Sequence, residues 1–507
     1  MSPRTLSDVD CDVLVVGLGP VGAALAALLV RAGVKVMAID RSTEVYPLPR
    51  AAHFDHEIMR VFQALGVADA IGLHARPAPA YEFRAADGQV LMRFDLPIDR
   101  SPSGWATGYM FNQPAAEHAL RAILAASPLA DIRLGWGFLG LEQDDDGVSA
   151  RLSSPAGEQV VRARYLVGCD GASSRVRETL GIGLEDFRFD EPWLVVDAIV
   201  PPDARTPDIN LQICDPVRPV TCVLMGPGRH RWEFMLRPGE TAEQVLDDNF
   251  IRPLIEAWDC GPLEIERKAV YRFHGLAAQT WRSDRVLLAG DAAHQMPPFA
   301  GQGMCSGVRD AANLAWKLAA VIGDSADPSL LDSYQAERDP HVRALIQLAI
   351  GMGRVVCATD PAEVAARDAQ MLAAQAAGAP PIPPSAPAAF GAGAILAGSA
   401  GAGAYFPQPW SQGPAGTERL DDVLGPDAWL ITPSGGAPGP QGVRVVALDD
   451  PALIHLAPAL IAWLDARDAL AVLVRPDRYV FGTGAPEALL DAYAAQLGRA
   501  AVTTSSG

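Results

Sequence analysis

Three separate segments of the chain place glycine or a carboxylate directly after a predicted strand. They are the G-x-G-x-x-G pattern at residues 17–22, an Asp-Gly pair at 170–171 and a Gly-Asp pair at 290–291. Glycine at such a turn lets backbone approach a phosphate closely, and a carboxylate there can accept hydrogen bonds from sugar hydroxyls. Together the three segments predict one long nucleotide ligand that lies across the end of a parallel sheet.

The first segment has the spacing of a dinucleotide-binding turn. Gly17 permits the tight turn, Gly19 lets backbone approach a pyrophosphate, and Gly22 lets the helix pack closely on the strand. Asp40 ends the next predicted strand, where its carboxylate can accept from ribose hydroxyls. A glycine-rich turn in an ordinary α/β domain is the alternative, and this pattern by itself does not distinguish NAD from FAD.

The third segment extends this interpretation. Residues 286–289 are predicted to form a buried strand, and a Pro-Pro turn, a glycine-rich loop and a helix follow Asp291. Free backbone N–H groups at the start of that helix would stabilise a cofactor ring that becomes anionic. Together with the first segment, this arrangement predicts bound FAD. For Asp170 the alternative is a turn or helix-capping role.

Length and composition narrow the class of protein. A chain of 507 residues is expected to fold as two or three domains. A net charge of −19 argues against a nucleic-acid or anionic-membrane partner. Seven scattered cysteines without a CxxC pair predict neither a metal site nor a disulfide framework, and they suit the cytoplasm. The apolar run from Val13 to Val30 is interpreted as a strand, a turn and a buried helix, so no membrane span is expected.

The order of predicted elements indicates an α/β fold with three parts. Residues 1–185 and 281–375 are assigned to a Rossmann-like cofactor-binding domain, within which residues 81–110 contribute to the substrate pocket. An interleaved β-sheet domain over 186–280 is expected to bind the substrate. A linker rich in Ala, Pro and Gly at 376–404 leads to a smaller α/β domain over 405–507.

The order and spacing of the three segments resemble the single-component flavoprotein aromatic hydroxylases of the para-hydroxybenzoate hydroxylase fold, over residues 10 to 375. The runs at 47–66, 214–219 and 231–240 are most similar to the branch acting on 3-(3-hydroxyphenyl)propionate. Residues 395–507 resemble the C-terminal thioredoxin-like domain of phenol hydroxylase relatives. No cysteine lies beyond Cys357, so the redox pair of thioredoxins is absent and the domain is expected to serve packing or assembly.

The resemblance implies a set of residues that contact FAD. Asp40 would bind the adenosine ribose with Arg41 beside the adenine, Arg50 would neutralise the pyrophosphate, and Asp291 would bind the ribityl hydroxyls. The full set of implied FAD-binding residues is Gly17, Gly19, Gly22, Asp40, Arg41, Arg50, Gln113, Asp170, Gly171, Asp291, Gly301, Gly303, Met304 and Cys305.

The resemblance also implies the reaction. NADH or NADPH would reduce FAD, and O2 would form a flavin C4a-hydroperoxide that hydroxylates a phenolic acid such as 3-(3-hydroxyphenyl)propionate. The carbonyl of Pro298 would lie near substrate and flavin, and His294 is either catalytic or a packing residue. No general base is assigned. The candidate substrate-binding residues are Trp193, Gln212, Arg231, Phe234 and Phe299.

Two other functions remain open at this point. The same fold could tailor or inactivate a polyketide or antibiotic as an FAD monooxygenase. A non-catalytic dinucleotide-fold binding protein is the alternative from another class, and the second and third segments argue against it. Since dimers are common among such hydroxylases, a homodimer is also considered.

Overall fold

The structure is a computed structural model, which describes residues 9–99, 101–379, 389–413, 416–435 and 439–498. Within these ranges the chain has the mixed α/β fold that the sequence predicts. The predicted domains and linker also contain residues outside the described ranges, namely 1–8, 100, 380–388, 414–415, 436–438 and 499–507.

A mainly parallel sheet positions the three glycine and carboxylate segments. Its parallel strands lie in the order Val286–Leu288, Gly157–Gly168, Cys11–Val16, Val36–Asp40 and Ala130–Leu134. Strands Gly137–Gln143, Val148–Ser154 and Arg282–Ser283 extend it by antiparallel pairing. Because parallel strands end at the same edge of a sheet, the segments after residues 16, 40, 168 and 288 meet there.

The first strand–helix–strand unit confirms the interpretation of the apolar run near the N-terminus. Strand Cys11–Val16 leads into helix Pro20–Arg31, with Pro20 at the first helical position, where its missing N–H costs nothing. In the described residues no single helix has the length and apolarity to cross a bilayer. One pair of segments, Pro328–Cys357 and Pro361–Ala376, meets these criteria jointly, with a bend of 114° between them.

A second sheet is antiparallel except for one strand pair. Its strands lie in the order His294–Gln295, Glu264–Ala278, Leu184–Ile199, Arg229–Met235, Val220–Leu224, Asn210–Cys214, Ala80–Ala85 and Val90–Asp95. Side chains alternate between the two faces of such strands. On one face Leu194, Trp232 and Phe234 form an apolar core with helices Ala242–Val245 and Asp248–Glu256. The other face is turned toward the parallel sheet.

The remaining elements of the first 379 residues surround these sheets. A small sheet consists of His53–Asp55, Ala75–Pro77 and Gly108–Phe111. The further helices are His56–Ala64, Ala68–Gly72, Gln113–Ala125, Arg175–Thr179, Gly303–Ile322, Asp332–Cys357 and Pro361–Ala376. The domain limits predicted from the sequence stay a prediction, although strands 80–85 and 90–95 do join the second sheet.

The C-terminal part is a separate α/β unit. Its sheet has the strand order Val443–Ala447, Ala428–Thr432, Ala471–Val474 and Val480–Gly484, with only the first pair parallel. Helices Leu420–Leu424, Ala457–Asp465 and Pro486–Gln496 and the hairpin Trp410–Gly413 with Gly416–Arg419 complete it. The thioredoxin-like assignment stays a prediction.

The described part of the predicted linker is packed onto its neighbours. Phe390 is buried and its ring stacks on Tyr479 with the centroids 4.1 Å apart. The backbone N–H of Ala394 donates to Glu337 at 2.7 Å. A composition rich in Ala, Pro and Gly therefore indicates irregular backbone here, and this backbone is held by specific contacts.

Buried ion pairs attach the C-terminal unit to the long helices. Glu337 lies 2.7 Å from Arg475 and 2.9 Å from Lys317, and the three side chains are 0% exposed. Burial alone would raise the pKa of Glu337, but Arg475 and Lys317 hold it at about 2. The group is therefore ionised at neutral pH and depends on both cations for compensation.

Replacing Glu337 with Gln should destabilise the protein by about 3–5 kcal/mol, because buried Lys317 loses its carboxylate partner and Arg475 keeps only Asp477. Urea denaturation followed by tryptophan fluorescence would detect this as a lower unfolding midpoint. Glu158→Gln is the matched control, since Glu158 is exposed and should change the midpoint little. A Glu337→Gln midpoint equal to the control's would contradict the role given to this cluster.

Candidate active site

A cavity of about 950 Å³ lies between the carboxyl edge of the parallel sheet and the open face of the second sheet. Residues from both sheets line it continuously. The predicted site residues along its wall are Gly17, Gly19, Asp40, Arg41, Arg50, Gln113, Asp170, Gly171, Gln212, Arg231, Asp291, Pro298, Phe299, Gly301, Gly303 and Met304. The tertiary structure thus brings together segments that are up to 287 positions apart (residues 17 to 304).

Two predicted cofactor residues lie just behind this wall. A Cβ atom at Gly22 would come within 1.9 Å of the Gly17 carbonyl oxygen, so Gly22 supports the turn from below. Cys305 is buried, and its Sγ approaches the Gly301 carbonyl at 3.6 Å. Its thiol pKa is raised by burial, which keeps it protonated and unreactive at neutral pH.

Three other predicted residues also lie outside the cavity lining. The Nε2 atom of His294 is 2.6 Å from Asp310, in a buried pair behind the loop, which is a packing position. Trp193 packs edge-on against Phe299, with ring centroids 5.7 Å apart. Phe234 belongs to the apolar core on the opposite face of the second sheet, because odd and even residues of its strand face opposite ways.

The glycine turn is held by contacts between backbone atoms. Gly17 has φ +97°, and a Cβ there would lie 2.5 Å from the Cys169 carbonyl oxygen. Gly19 differs from Gly17 in having a φ of −70°, and it differs from Gly17 and Gly22 in that an added Cβ would meet no protein atom within 4 Å. The space beside Gly19 is therefore open to a ligand, whereas Gly17 and Gly22 are required by the protein's own packing.

The Asp40 carboxylate is oriented by two backbone donors. The N–H groups of Leu18 and Ser42 each donate to it at 2.8 Å. Asp40 is half-buried at the end of its strand and lines the cavity beside the glycine turn. Its remaining lone pairs are available to hydroxyl donors in the cavity, as dinucleotide recognition requires.

Gln113 fixes the backbone beside Arg50. Its Oε1 accepts from the N–H groups of Ala51 at 2.6 Å and Arg50 at 3.2 Å, and its Nε2 donates to Glu117 at 2.7 Å. The Arg50 guanidinium lies over the ring of Tyr46, 4.9 Å from its centroid, and lines the cavity. A cation is thus presented where a pyrophosphate would need neutralisation.

Asp170 and Asp291, the carboxylates of the second and third glycine segments, differ in their hydrogen bonds. Asp170 accepts from the Ser174 hydroxyl at 2.5 Å and from the Val176 N–H at 3.1 Å, so it also stabilises a helix start. Asp291 faces the cavity with no hydrogen-bond partner among the described residues. Burial of this carboxyl group by the surrounding protein raises the pKa of Asp291. Donors from a ligand would satisfy its carboxylate.

The start of helix Gly303–Ile322 opens onto the same cavity. The residue before it, Gln302, makes no capping hydrogen bond through its side chain. Gly303 and Met304 line the cavity, so the first N–H groups of the helix are available to an anionic group. Just before it, the Pro298 carbonyl accepts from the Gly301 N–H at 2.8 Å and closes a turn at the cavity wall.

The second sheet supplies a polar wall opposite this loop. The Thr221 hydroxyl donates to Gln212 Oε1 at 2.6 Å, and Gln212 Nε2 donates to the Tyr81 hydroxyl at 2.5 Å. Thr221 is paired with Glu233 on the next strand, so both side chains lie on this face. Phe299 contributes an apolar surface from the loop. No cluster of metal-ligating side chains occurs in the described part of the chain.

Comparison with known proteins identifies the family. The family model described as FAD binding domain matches residues 10–349. A protein of Rhodococcus jostii (strain RHA1) named "Probable NADH-specific resorcinol 4-hydroxylase" is 39% identical over 513 aligned residues, which cover 96% of this chain and 94% of that protein. The chain belongs to the FAD-dependent aromatic hydroxylases.

Other relatives of this hydroxylase agree with that assignment. A 3-(3-hydroxy-phenyl)propionate/3-hydroxycinnamic acid hydroxylase of Mycobacterium sp. (strain JLS) is 39% identical over 372 residues, which cover 73% of this chain and 64% of that protein. The solved structure of p-nitrophenol 4-monooxygenase PnpA from Pseudomonas putida DLL-E4 is 27% identical, with a TM-score of 0.66, and covers 72% of this chain and 94% of that one. The predicted family resemblance and the FAD cofactor are confirmed.

The residues of the hydroxylase fit FAD. The open space beside Gly19, the cation of Arg50, the unpartnered Asp291 carboxylate and the uncapped helix start follow one another along a single cavity. They would hold the pyrophosphate, the ribityl chain and the pyrimidine edge of the flavin. The role of each residue toward FAD stays a prediction.

The sequence-based selection missed several cavity residues. Tyr81, Thr221, Glu233, Tyr271 and His53 all line the wall near Gln212 and Phe299. A usable signal existed for Glu233, because it lies two residues beyond Arg231 and therefore on the same face of its strand. Phe234, the next residue along the strand, faces the opposite side of the sheet by the same alternation.

Substitutions at Gly19 and Gly22 should have separable effects. Gly19→Ala should leave the thermal stability of the FAD-free protein unchanged while lowering FAD affinity at least about 10-fold, because its methyl group occupies ligand space. Gly22→Ala should destabilise the FAD-free protein by about 1–3 kcal/mol, because its methyl group collides with the Gly17 carbonyl. Thermal unfolding and FAD titration measure both, and the reverse pattern would refute this assignment.

Removing the Asp291 carboxylate should weaken FAD binding without harming the fold. Asp291→Ala is expected to lower FAD affinity about 10- to 100-fold, because hydrogen bonds to a charged group contribute about 1.5–3 kcal/mol. The stability of the FAD-free protein should not fall, since Asp291 has no protein partner in the described residues. Asp203→Ala, at an exposed aspartate, is the control, and equal FAD affinity in the two variants would exclude this role.

Proposed function

We propose that the enzyme uses NADH and O2 to hydroxylate a small neutral phenol such as resorcinol, with FAD bound in its cavity. The observation that carries this proposal is the continuity of the cavity. The same space of about 950 Å³ extends from the glycine turn to the polar wall around Gln212. A flavin ring and a single-ring phenol could therefore lie against each other without bulk water between them.

The charged side chains of the second sheet that line the cavity favour a neutral substrate. This lining is called the substrate wall below. Arg231 lines this wall and carries a positive charge, but its guanidinium is already engaged. It donates to Asp197 at 2.5 and 3.0 Å and to the carbonyls of Arg50 and Pro49 at 2.8 Å each. Arg272, the other lining arginine of this sheet, pairs with Asp190 at 2.9 Å. A substrate carboxylate would thus lack a free cation among the described residues of this wall.

The names of the relatives also favour a neutral phenol over a phenolic acid as the substrate. The relative matched along 94% of its own length is named for resorcinol, whereas the match to the phenylpropionate hydroxylase covers 64% of that protein. 3-(3-Hydroxyphenyl)propionate remains the second candidate, since an identity of 39% over 372 residues also supports it. A polycyclic polyketide is a weaker candidate, because both of these relatives are named for single-ring phenols. Asp170 and Asp291, the latter unpartnered among the described residues, argue against a non-catalytic binding protein.

The chain's own residues would prepare the reaction. When bound, FAD accepts a hydride from NADH and activates O2 for transfer of one oxygen atom to the ring. The uncapped N–H groups at Gly303 and Met304 would stabilise negative charge on the reduced ring. Gln212 and Tyr81 would orient a ring hydroxyl, and Phe299 with the buried rings behind it would exclude water.

We also infer the cellular compartment and the oligomeric state of the protein. From the dispersed cysteines we infer cytoplasmic residence, and from the resemblance to dimeric hydroxylases we infer a homodimer. Size-exclusion chromatography with light scattering would test the dimer, and fractionation of the source cells would test the compartment.

Purified protein should be yellow and should oxidise NADH faster when resorcinol is added, with a product one oxygen atom heavier. Parallel reactions with 3-(3-hydroxyphenyl)propionate and with NADPH would rank the substrates and the reductants, with mass spectrometry to detect each product. Faster NADH oxidation with peroxide as the only product would mean that resorcinol is an effector. A colourless protein that binds no FAD would contradict the proposal as a whole.

A further inference from the structure

Glu233 is the carboxylate of the substrate wall. It lies on strand Arg229–Met235, paired with Thr221, which in turn is paired with Gln212. All three side chains face the cavity, and the Glu233 side chain is only 8% exposed. The cavity's other carboxylates, at Asp40, Glu44, Glu117, Asp170 and Asp291, come from outside this sheet.

The Glu233 carboxylate lacks a hydrogen-bond donor within the described residues. Its nearest cation is the Arg231 guanidinium, with 3.7 Å between NH1 and Oε1. A buried carboxylate without a donor is unfavourable, so its position is best explained by a donor that arrives with a ligand. A phenol hydroxyl is such a donor.

Two arginines and one aspartate surround Glu233, and both arginines are paired with that aspartate. Arg231 on its own strand and Arg267 on strand Glu264–Ala278 both pair with Asp197 on strand Leu184–Ile199. The phenols of Tyr271 and Tyr81 complete the titratable groups that face it. Burial, together with the negative charge of Asp197 and against the pull of Arg231, raises the pKa of Glu233 to about 7. It can therefore exchange a proton at neutral pH.

The neighbouring titratable groups are less suited to take a proton. Burial raises the pKa of the Tyr81 phenol, and its oxygen already accepts from Gln212. Tyr271 contacts the Arg267 guanidinium through its hydroxyl. The Nδ1 atom of His53 lies 3.1 Å from the Gly301 carbonyl, and burial lowers the pKa of its ring. Its Nε2 atom lies beside Gly108, where an added Cβ would approach it within 2.8 Å.

We propose that Glu233 is the catalytic base that accepts the proton of the substrate's ring hydroxyl. The phenol O–H bond breaks, an O–H bond forms on the Glu233 carboxylate, and the electron pair left on the phenol oxygen enriches the ring carbons ortho and para to it. No oxidation occurs in this step. After one oxygen atom has been transferred from O2, the carboxyl returns the proton to the product oxygen. This inference rests on the proposed function.

The test compares FAD-loaded wild type, Glu233→Gln and Glu256→Gln with resorcinol between pH 6 and alkaline pH. Glu256 is an exposed residue at the end of a helix on the opposite side of the sheet, so its variant should behave as wild type. Glu233→Gln should lower product formation about 100- to 10,000-fold at neutral pH, the usual contribution of a general base. NADH oxidation should continue with peroxide in place of product.

The pH profile separates a base from a structural residue. Because resorcinol ionises by itself toward about pH 10, like other phenols, product formation by Glu233→Gln should recover at alkaline pH. A loss that persists there, or no loss at all, would overturn the assignment.

Should Glu233→Gln fail to retain FAD, the wild-type profile decides. Glu233 accepts a proton only when ionised, so product formation must fall as the pH drops through about 7. A flat profile would overturn the proposal.

The wild-type reactions keep the two proposals distinguishable. If wild type hydroxylates 3-(3-hydroxyphenyl)propionate and not resorcinol, the neutral substrate is overturned, and the same variants then test Glu233 with that phenol. If wild type yields no product from either phenol, the proposed function and the base assignment are both overturned.

Discussion

Contact between backbone atoms at one edge of the parallel sheet is the constraint on which the rest of the structure depends. The Gly17 turn lies against the carbonyl of Cys169, and Gly22 lies against Gly17 itself. Side chains at Gly17 or Gly22 would force these segments apart. Their contact brings the ends of strands Cys11–Val16 and Gly157–Gly168 close enough for one ligand to touch both. The predicted contacts of Asp40 and Asp291 with FAD depend on this tightly closed edge.

The substrate wall is joined to this edge by a shared set of hydrogen bonds. Arg231 and Arg267 extend from the second sheet to the carbonyl of Pro49, and Arg231 also reaches the carbonyl of Arg50. The backbone of Arg50 is held from the other side by Gln113. Arg50, which we predict to face the pyrophosphate, and the wall that we propose for the phenol are therefore positioned by one network. A substitution in either half of this hydrogen-bond network should therefore alter the geometry of the other half.

The same network explains the unusual state of Glu233. Both arginines direct hydrogen bonds to Asp197, and Glu233 keeps only the 3.7 Å contact with Arg231, so burial dominates its pKa. Glu337, which is also buried, is instead paired with both Arg475 and Lys317. The contrast between a hydrogen-bonded structural carboxylate and a cavity carboxylate without a donor among the described residues is the pattern expected of a functional group.

Local patterns in the sequence determined the glycine turn, the acid at Asp40, the strand–helix–strand unit and the FAD family. Each depends on residues close together in the chain, where backbone geometry and strand or helix period decide the outcome. The tertiary structure decided which face of a strand meets the cavity and which charges are already paired. Arg231 is committed to carbonyls 181 and 182 residues away, and His294 to a buried Asp310. Phe234 and Glu233 are neighbours in sequence, yet Phe234 packs with the helices on one face of the sheet and only Glu233 of the two lines the cavity. Such partners are selected by packing between distant segments, which the order of residues along one strand does not specify.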